Sequence, residues 1–153
     1  MKTIIQINGK DVEITLTKEQ VVQINKQKEL DASTCTLQDC IDYLGENDQE
    51  VINLRQLEKV SISDYVLANQ QAVCIIKALN GDWTPNWNNS NEYKYFIWWN
   101  MQNKDFSYYD FDHHWFSCSL VSARLCLKNS RLCQDIGKNK EFVKIFTKFM
   151  LIG

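Results

Sequence analysis

The stretch FSYYDFDHHWF, residues 106–116, puts six aromatic rings, two adjacent histidines and two aspartates into eleven positions. On a strand, Asp110, Asp112 and His114 share one face, and His113 points with Phe111 and Trp115. Three oxygen or nitrogen donors at period two could collect a divalent ion and support hydrolysis. No second histidine pair occurs in the chain, and no general base stands at a fixed spacing from these residues. The competing reading is a strand with a polar outer face and an aromatic inner face. The sequence favours it, so the chain is read as a non-enzymatic protein with no catalytic residue, no metal and no cofactor.

Cysteine is the second chemistry-bearing type. Cys35, Cys40, Cys74, Cys118, Cys126 and Cys133 form no C-x-x-C pair, and their spacing matches no common zinc site. A chain of 153 residues has no need of disulfide staples. Reduced, buried thiols acting as small apolar residues are expected.

Aromatic and basic residues make the third group. Residues 82–116 hold thirteen of the eighteen aromatic residues. Trp83, Trp87, Tyr93, Tyr95, Trp98, Trp99, Tyr108 and Tyr109 are the candidate partner-binding rings, because large rings dominate interface hot spots. Single-strand nucleic-acid binders interleave such rings with cations, but only Lys94 and Lys104 lie inside this stretch. The net charge of −2 is uneven. Residues 1–81 carry eight basic against twelve acidic residues, residues 82–116 two against five, and residues 124–153 seven against two. An acidic body with a basic end argues against bulk phosphate neutralisation. Arg124, Arg131, Lys138, Lys144 and Lys148 remain candidates for a local anion or RNA contact, and Lys140 extends their stripe.

These residues must be positioned by a few short elements. IIQI and VEITL read as a hairpin about Asn8-Gly9, a type I′ turn signal. Thr17 with Gln20 forms a capping box for a helix carrying Val21, Val22 and Ile24 to about Lys28. Thr36 caps a second helix with Leu37, Cys40, Ile41 and Leu44 on one face, ending at Gly45. Residues 48–59 read as a short third helix. Ser63 caps a fourth, with Val66, Cys74, Ile75, Ala78 and Leu79 inward and a stop at Asn80-Gly81. YKYFIWW, FSYYDF and WFSCSLV then read as a small aromatic-rich antiparallel sheet. Ser130 caps a C-terminal amphipathic helix bearing Leu132, Cys133, Ile136, Val143, Phe146 and Met150. The predicted class is α+β in a single domain, 1–153, organised as a hairpin-helix entry (1–28), a helical part (29–81), an aromatic sheet (82–128) and a terminal helix (130–150).

Several stretches together resemble a known family. NGKDVEITLTKEQ, IIKALNGDWTPNWNNSNEYKYFIWW, FSYYDFDHHW and VSARLCLKNSRLCQDIGK are similar to segments of an uncharacterised small-protein family of Bacteroidota phages, prophages and mobile elements. Its members carry a pattern like ALN-x-GW-x-PDW-x-N, then KYYPWF, then SRLCFKS. The resemblance covers most of the chain, 29–62 matching poorly, and implies no activity. Ile97 stands where the pattern has proline, Ala123 where it has glycine and Leu127 where it has an aromatic residue.

The resemblance implies phage or mobile-element origin, and proteins of that kind without catalytic signatures act by binding a larger host machine. The expectation is an inhibitor of a bacterial defence complex, anti-CRISPR-like, with an RNA-guided nuclease such as Cas13b or Cas9 as target and bound RNA as a possible part of it. A phage virion or accessory structural protein is the alternative, and a single-stranded nucleic-acid binder the third reading. No apolar run approaches the roughly 20 residues that cross a bilayer, and MKTIIQI has no signal-peptide character. A cytoplasmic monomer or homodimer with a protein partner and no membrane is expected.

Overall fold

The computed structural model describes residues 2–7, 10–17, 20, 29–89, 91–100, 105–108 and 123–150. Two strands open it, β1 (Lys2–Ile7) and β2 (Lys10–Thr15), antiparallel with Ile7 opposite Lys10, the register of a two-residue connection. Thr17 and Gln20 exchange the two bonds of a capping box, Thr17 N donating to Gln20 Oε1 at 2.9 Å and Gln20 N to Thr17 Oγ1 at 3.2 Å. The helix expected from Val21 to Lys28 lies outside the described residues.

Three helices follow: α1 (Leu37–Leu44), α2 (Gln49–Leu57) and α3 (Asp64–Asn80). Helix α1 begins where Thr36 Oγ1 accepts from Asp39 N at 3.1 Å and Thr36 N in turn donates to Asp39 Oδ2 at 2.7 Å. It stops at Gly45, whose positive φ of 84° suits a residue without Cβ. Helix α2 is capped by Asp48, which accepts from Glu50 N at 2.9 Å and also takes Lys77 Nζ at 2.8 Å. The N-terminus of α2 is thereby tied to the end of α3.

Helix α3 is the axis of the fold. Ala72, Val73, Cys74, Ile75 and Ile76 are all buried, so every side of the helix meets another element there. On one side Cys74 joins Ile41, Val51 and Leu54 from α1 and α2. On the other, Ile75, Ile76 and Leu79 pack with Ile97, Leu127, Ile136, Phe142 and Phe146. Ser63 precedes α3 but makes no side-chain cap bond. Gly81 ends it at φ +62°, and a Cβ added there would stand 3.2 Å from Tyr43 Oη. Gly81→Ala should therefore cost roughly 1–3 kcal/mol, the penalty of a sparsely populated backbone region that residues with a Cβ avoid, and lower the melting temperature by about 2–12 °C in a thermal scan.

The α+β class expected from the sequence is corrected: the described chain is mainly helical, with five α-helices and no sheet layer. In place of an aromatic sheet there is a two-stranded ribbon, β3 (Ile97–Asn100) antiparallel to β4 (Asp105–Tyr108), separate from the β1–β2 pair. Tyr95 reaches only an isolated bridge to Leu127. Strand preference in aromatic runs depends on a partner to pack against. Here carbonyls upstream of Tyr95 are taken by a lysine, and Ile97 is placed in the core with Tyr95 packed against it. The expected strand WFSCSLV lies outside the described residues.

The predicted terminal helix is also corrected, because it is two helices, α4 (Ser130–Lys138) and α5 (Lys140–Met150). Asn129, not Ser130, caps α4, its Oδ1 accepting from Leu132 N at 3.0 Å. Asn139 separates the two and caps α5, accepting from Glu141 N at 3.1 Å and Phe142 N at 3.2 Å. Its amide nitrogen donates to Ala32 O at 3.1 Å and Cys35 O at 2.7 Å. Among the described residues no helix is long and apolar enough to cross a membrane.

Candidate partner-binding loop

The described residues of 82–95 are irregular, and several of their backbone groups are bonded by side chains of the same segment. Asn86 Oδ1 accepts from Asn88 N, and Asn89 Oδ1 from Asn91 N, both at 3.0 Å. These are the local bonds that make asparagine a turn former. Glu92 Oε1 then reaches back to Asn86 N at 2.7 Å, which closes the segment on itself.

Lys94 sits at the centre of this closed turn with a side chain only 4% exposed. Its ammonium donates to Asn86 O at 2.8 Å, Asn89 O at 3.1 Å and Glu92 O at 2.9 Å. An ammonium has three N–H donors, and three carbonyls converge on it. Glu92 Oε1 lies 3.3 Å away and supplies the countercharge. The Trp87 ring centroid lies 5.6 Å from the same nitrogen, within cation–π range. Lysine thus acts here as a built-in cation that folds the loop, not as a surface charge.

Around this centre the predicted rings are placed unequally. Tyr93 is 49% exposed, with its ring centroid 6.4 Å from that of Tyr95. Trp83, Trp87 and Tyr95 are half-buried, so they contribute edges to the surface and bodies to the packing. Trp98, Trp99 and Tyr108 belong to the β3–β4 ribbon, and their side chains lie outside the described residues. Tyr109, Asp110, Asp112, His113 and His114 lie wholly outside them. Among the described residues no group of three or more His, Cys, Asp or Glu could hold a metal ion.

The predicted basic residues are exposed but largely engaged. Arg124 Nε lies 3.3 Å from Glu50, Arg131 Nε 3.4 Å and Lys138 Nζ 2.8 Å from Asp135, and Lys148 Nζ 3.0 Å from Asp64. Each anion already neutralises part of the charge that a phosphate would seek. Lys140 and Lys144 are exposed on α5. Of the stripe read from spacing, Lys138 and Lys148 thus stand in local ion pairs of the kind worth roughly 0–1 kcal/mol each.

Two features were not picked out from the sequence. One is the inward turn of Lys94, for which the only local signal is its place after an asparagine-rich run. The other is a small exposed apolar area at the start of α3, where Val60, Ile62 and Tyr65 are 57%, 37% and 54% exposed. Tyr65 packs its ring against Phe149 of α5 at 5.9 Å between centroids. The run VSISDY could have been recognised by its apolar residues directly before a helix cap.

The five described cysteines are buried free thiols. Burial pushes the Cys74 thiol up to about 12, and its Sγ donates to Glu50 O at 3.4 Å. Such a thiol is a packing residue with little thiolate at neutral pH. No protein-family profile matches the chain, and neither a curated protein nor a solved structure is significantly similar to it.

Proposed function

We propose that the protein is a non-enzymatic binding protein of phage or mobile-element origin that inhibits a bacterial defence complex. The target class is an RNA-guided nuclease of the Cas13b or Cas9 kind, met in the cytoplasm of the host cell. The observation that carries a binding role is the Tyr93 ring, about half exposed on a loop stiffened from within by Lys94. A ring held this way loses little freedom on docking, and pre-organisation is what turns contact area into affinity. The resemblance of the sequence motifs supports the phage or mobile-element origin, and the target class follows from that origin. The ion-paired state of Arg124, Arg131, Lys138 and Lys148 favours protein contact over a phosphate-led one.

The test is affinity capture by the tagged protein from lysate of a bacterium with CRISPR systems, read by mass spectrometry with and without RNase. Recovery of one effector nuclease is expected, and the Tyr93→Ala variant should recover at least about tenfold less, as for loss of a hot spot. Because Tyr93 is exposed, the same variant should keep its stability to within about 0.5 kcal/mol. Recovery of only capsid or tail proteins from infected cells would overturn the inhibitor reading, as would recovery of the tagged protein alone.

A further inference from the structure

Helix α1 is entered through two thiols. Cys35 directly precedes the Thr36 cap, and Cys40 is the fourth helical residue, the two positions that a hydrophobic staple brings together. Both are buried in the main core, and each thiol is the largest influence on the other's titration, lowering Cys35 and raising Cys40. The backbone holds them there from both sides. Cys35 N donates to Asp31 O at 2.9 Å, Cys35 O accepts from Asn139 Nδ2 at 2.7 Å, and Cys40 N donates to Thr36 O at 3.2 Å.

The two sulfurs differ in access. Cys40 is fully buried, whereas Cys35 lines a partly open cavity of about 350 Å³. Glu29, Asp31, Asp39 and Asp42 share the cavity wall with it. Arg131 is the guanidinium that acts on Asp31. A wall of carboxylates attracts small cations and repels anions within a Debye length. We propose that Cys35 and Cys40 form a reversible dithiol–disulfide couple, oxidised through this cavity by small cationic disulfides.

The exchange balances without a further oxidant. The Cys35 thiolate attacks one sulfur of the entering disulfide, whose S–S bond breaks, and the first half leaves as a thiolate that takes up a proton. Cys40 then loses its proton and attacks the Cys35 sulfur, releasing the second half as a thiol. Two protein thiols are oxidised to one disulfide, and the reagent is reduced to two thiols. The Cys35 thiol and burial both push the Cys40 thiol up, so Cys40, adjacent and shielded, acts second and more slowly, as the resolving thiol of this pair.

The test treats the reduced full chain with cystamine, which is cationic, or with glutathione disulfide, which is anionic. Each rate is divided by that of the same reagent with the urea-unfolded chain. The tryptic peptide 29–55 carries both cysteines and no other, and it should lose two hydrogens. After normalisation cystamine should react about tenfold faster at low salt, the gap narrowing at high salt. Cys40→Ser should stop at a mixed disulfide on Cys35. Oxidation that spares peptide 29–55 while modifying other cysteines would overturn the couple. Equal normalised rates for the two reagents at low salt would overturn the acidic route. Both readings come from the wild-type chain and need no variant to fold.

Discussion

Replacing Lys94 by methionine is expected to destabilise the chain by about 2–4 kcal/mol. The substitution keeps the length of the aliphatic stem and removes the ammonium. Three charge-assisted bonds, to the carbonyls of Asn86, Asn89 and Glu92, are then lost, the first two carbonyls keeping only their long backbone bonds from Asn89 N and Glu92 N, and Glu92 loses the countercharge at 3.3 Å. A hydrogen bond to a charged group contributes roughly 1.5–3 kcal/mol. The sum is capped because the loop can open locally and give those carbonyls to water. Urea denaturation of the two chains measures the difference. Amide exchange adds a local reading, since the N–H groups of Asn89 and Glu92 that close the turn at 3.2 and 3.3 Å should lose protection. Lys94→Arg should be destabilised too, because a planar guanidinium does not match three carbonyls converging on one nitrogen. Unchanged stability and unchanged exchange in Lys94→Met would sink the built-in-cation account, and with it the stiffened presentation of Tyr93.

The second large effect is expected at Asn139, which is only 6% exposed. Asn139→Ala removes an N-cap, about 1 kcal/mol, and leaves Ala32 O and Cys35 O without their donor at roughly 1–3 kcal/mol each. A total loss of about 3–5 kcal/mol should appear as a lower urea midpoint with an unchanged slope. Asn139→Asp separates the two roles. A carboxylate keeps the acceptor for Glu141 N and Phe142 N and suits the positive end of α5. It cannot donate, however, and it sets a charge against two carbonyls. Asp at this position should thus remain destabilised by most of the alanine effect. Wild-type stability in Asn139→Asp would mean that the tether from α5 to the 32–35 turn contributes nothing.

Much of the local chemistry was legible because it is settled within a few residues. Thr36 was read as a cap and is one, and Thr17 with Gln20 was read as a capping box and forms its two bonds. Gly45 and Gly81 were read as helix stops and hold the positive φ that makes them so. The apolar stripes of α1 and α3 were legible by their period, and Cys40, Ile41, Ile75, Ala78 and Leu79 are buried as expected. Val66 is only half-buried, since it lies near the exposed first turn of α3.

The aromatic run shows where that legibility ends. YKYFIWW has the residue types of a strand, but a strand exists only where another backbone takes up its hydrogen bonds. Within the run such a partner is present for Ile97, Trp98 and Trp99 in the ribbon and for Tyr95 at its bridge to Leu127. The candidate site was legible in part for the same reason. Its rings are visible as residue types, whereas the exposure of Tyr93 against the half-burial of Trp87 follows from where the loop folds.

The sequence by itself determined the helix stops at Gly45 and Gly81, the Thr17 and Thr36 caps and the apolar stripes of α1 and α3, because each depends on groups within about one or two helical turns. Tertiary structure alone decided which polar side chains turn inward. Asn139 finds Cys35 104 positions away, and Asn80 finds Cys126 46 positions away, its Nδ2 donating to the Cys126 carbonyl at 2.7 Å. Asparagine and lysine are solvated residues by default, and a pattern of types carries no record of which distant carbonyl will be left without a donor. Burial of that carbonyl makes the bond necessary, and burial is a property of the packed chain.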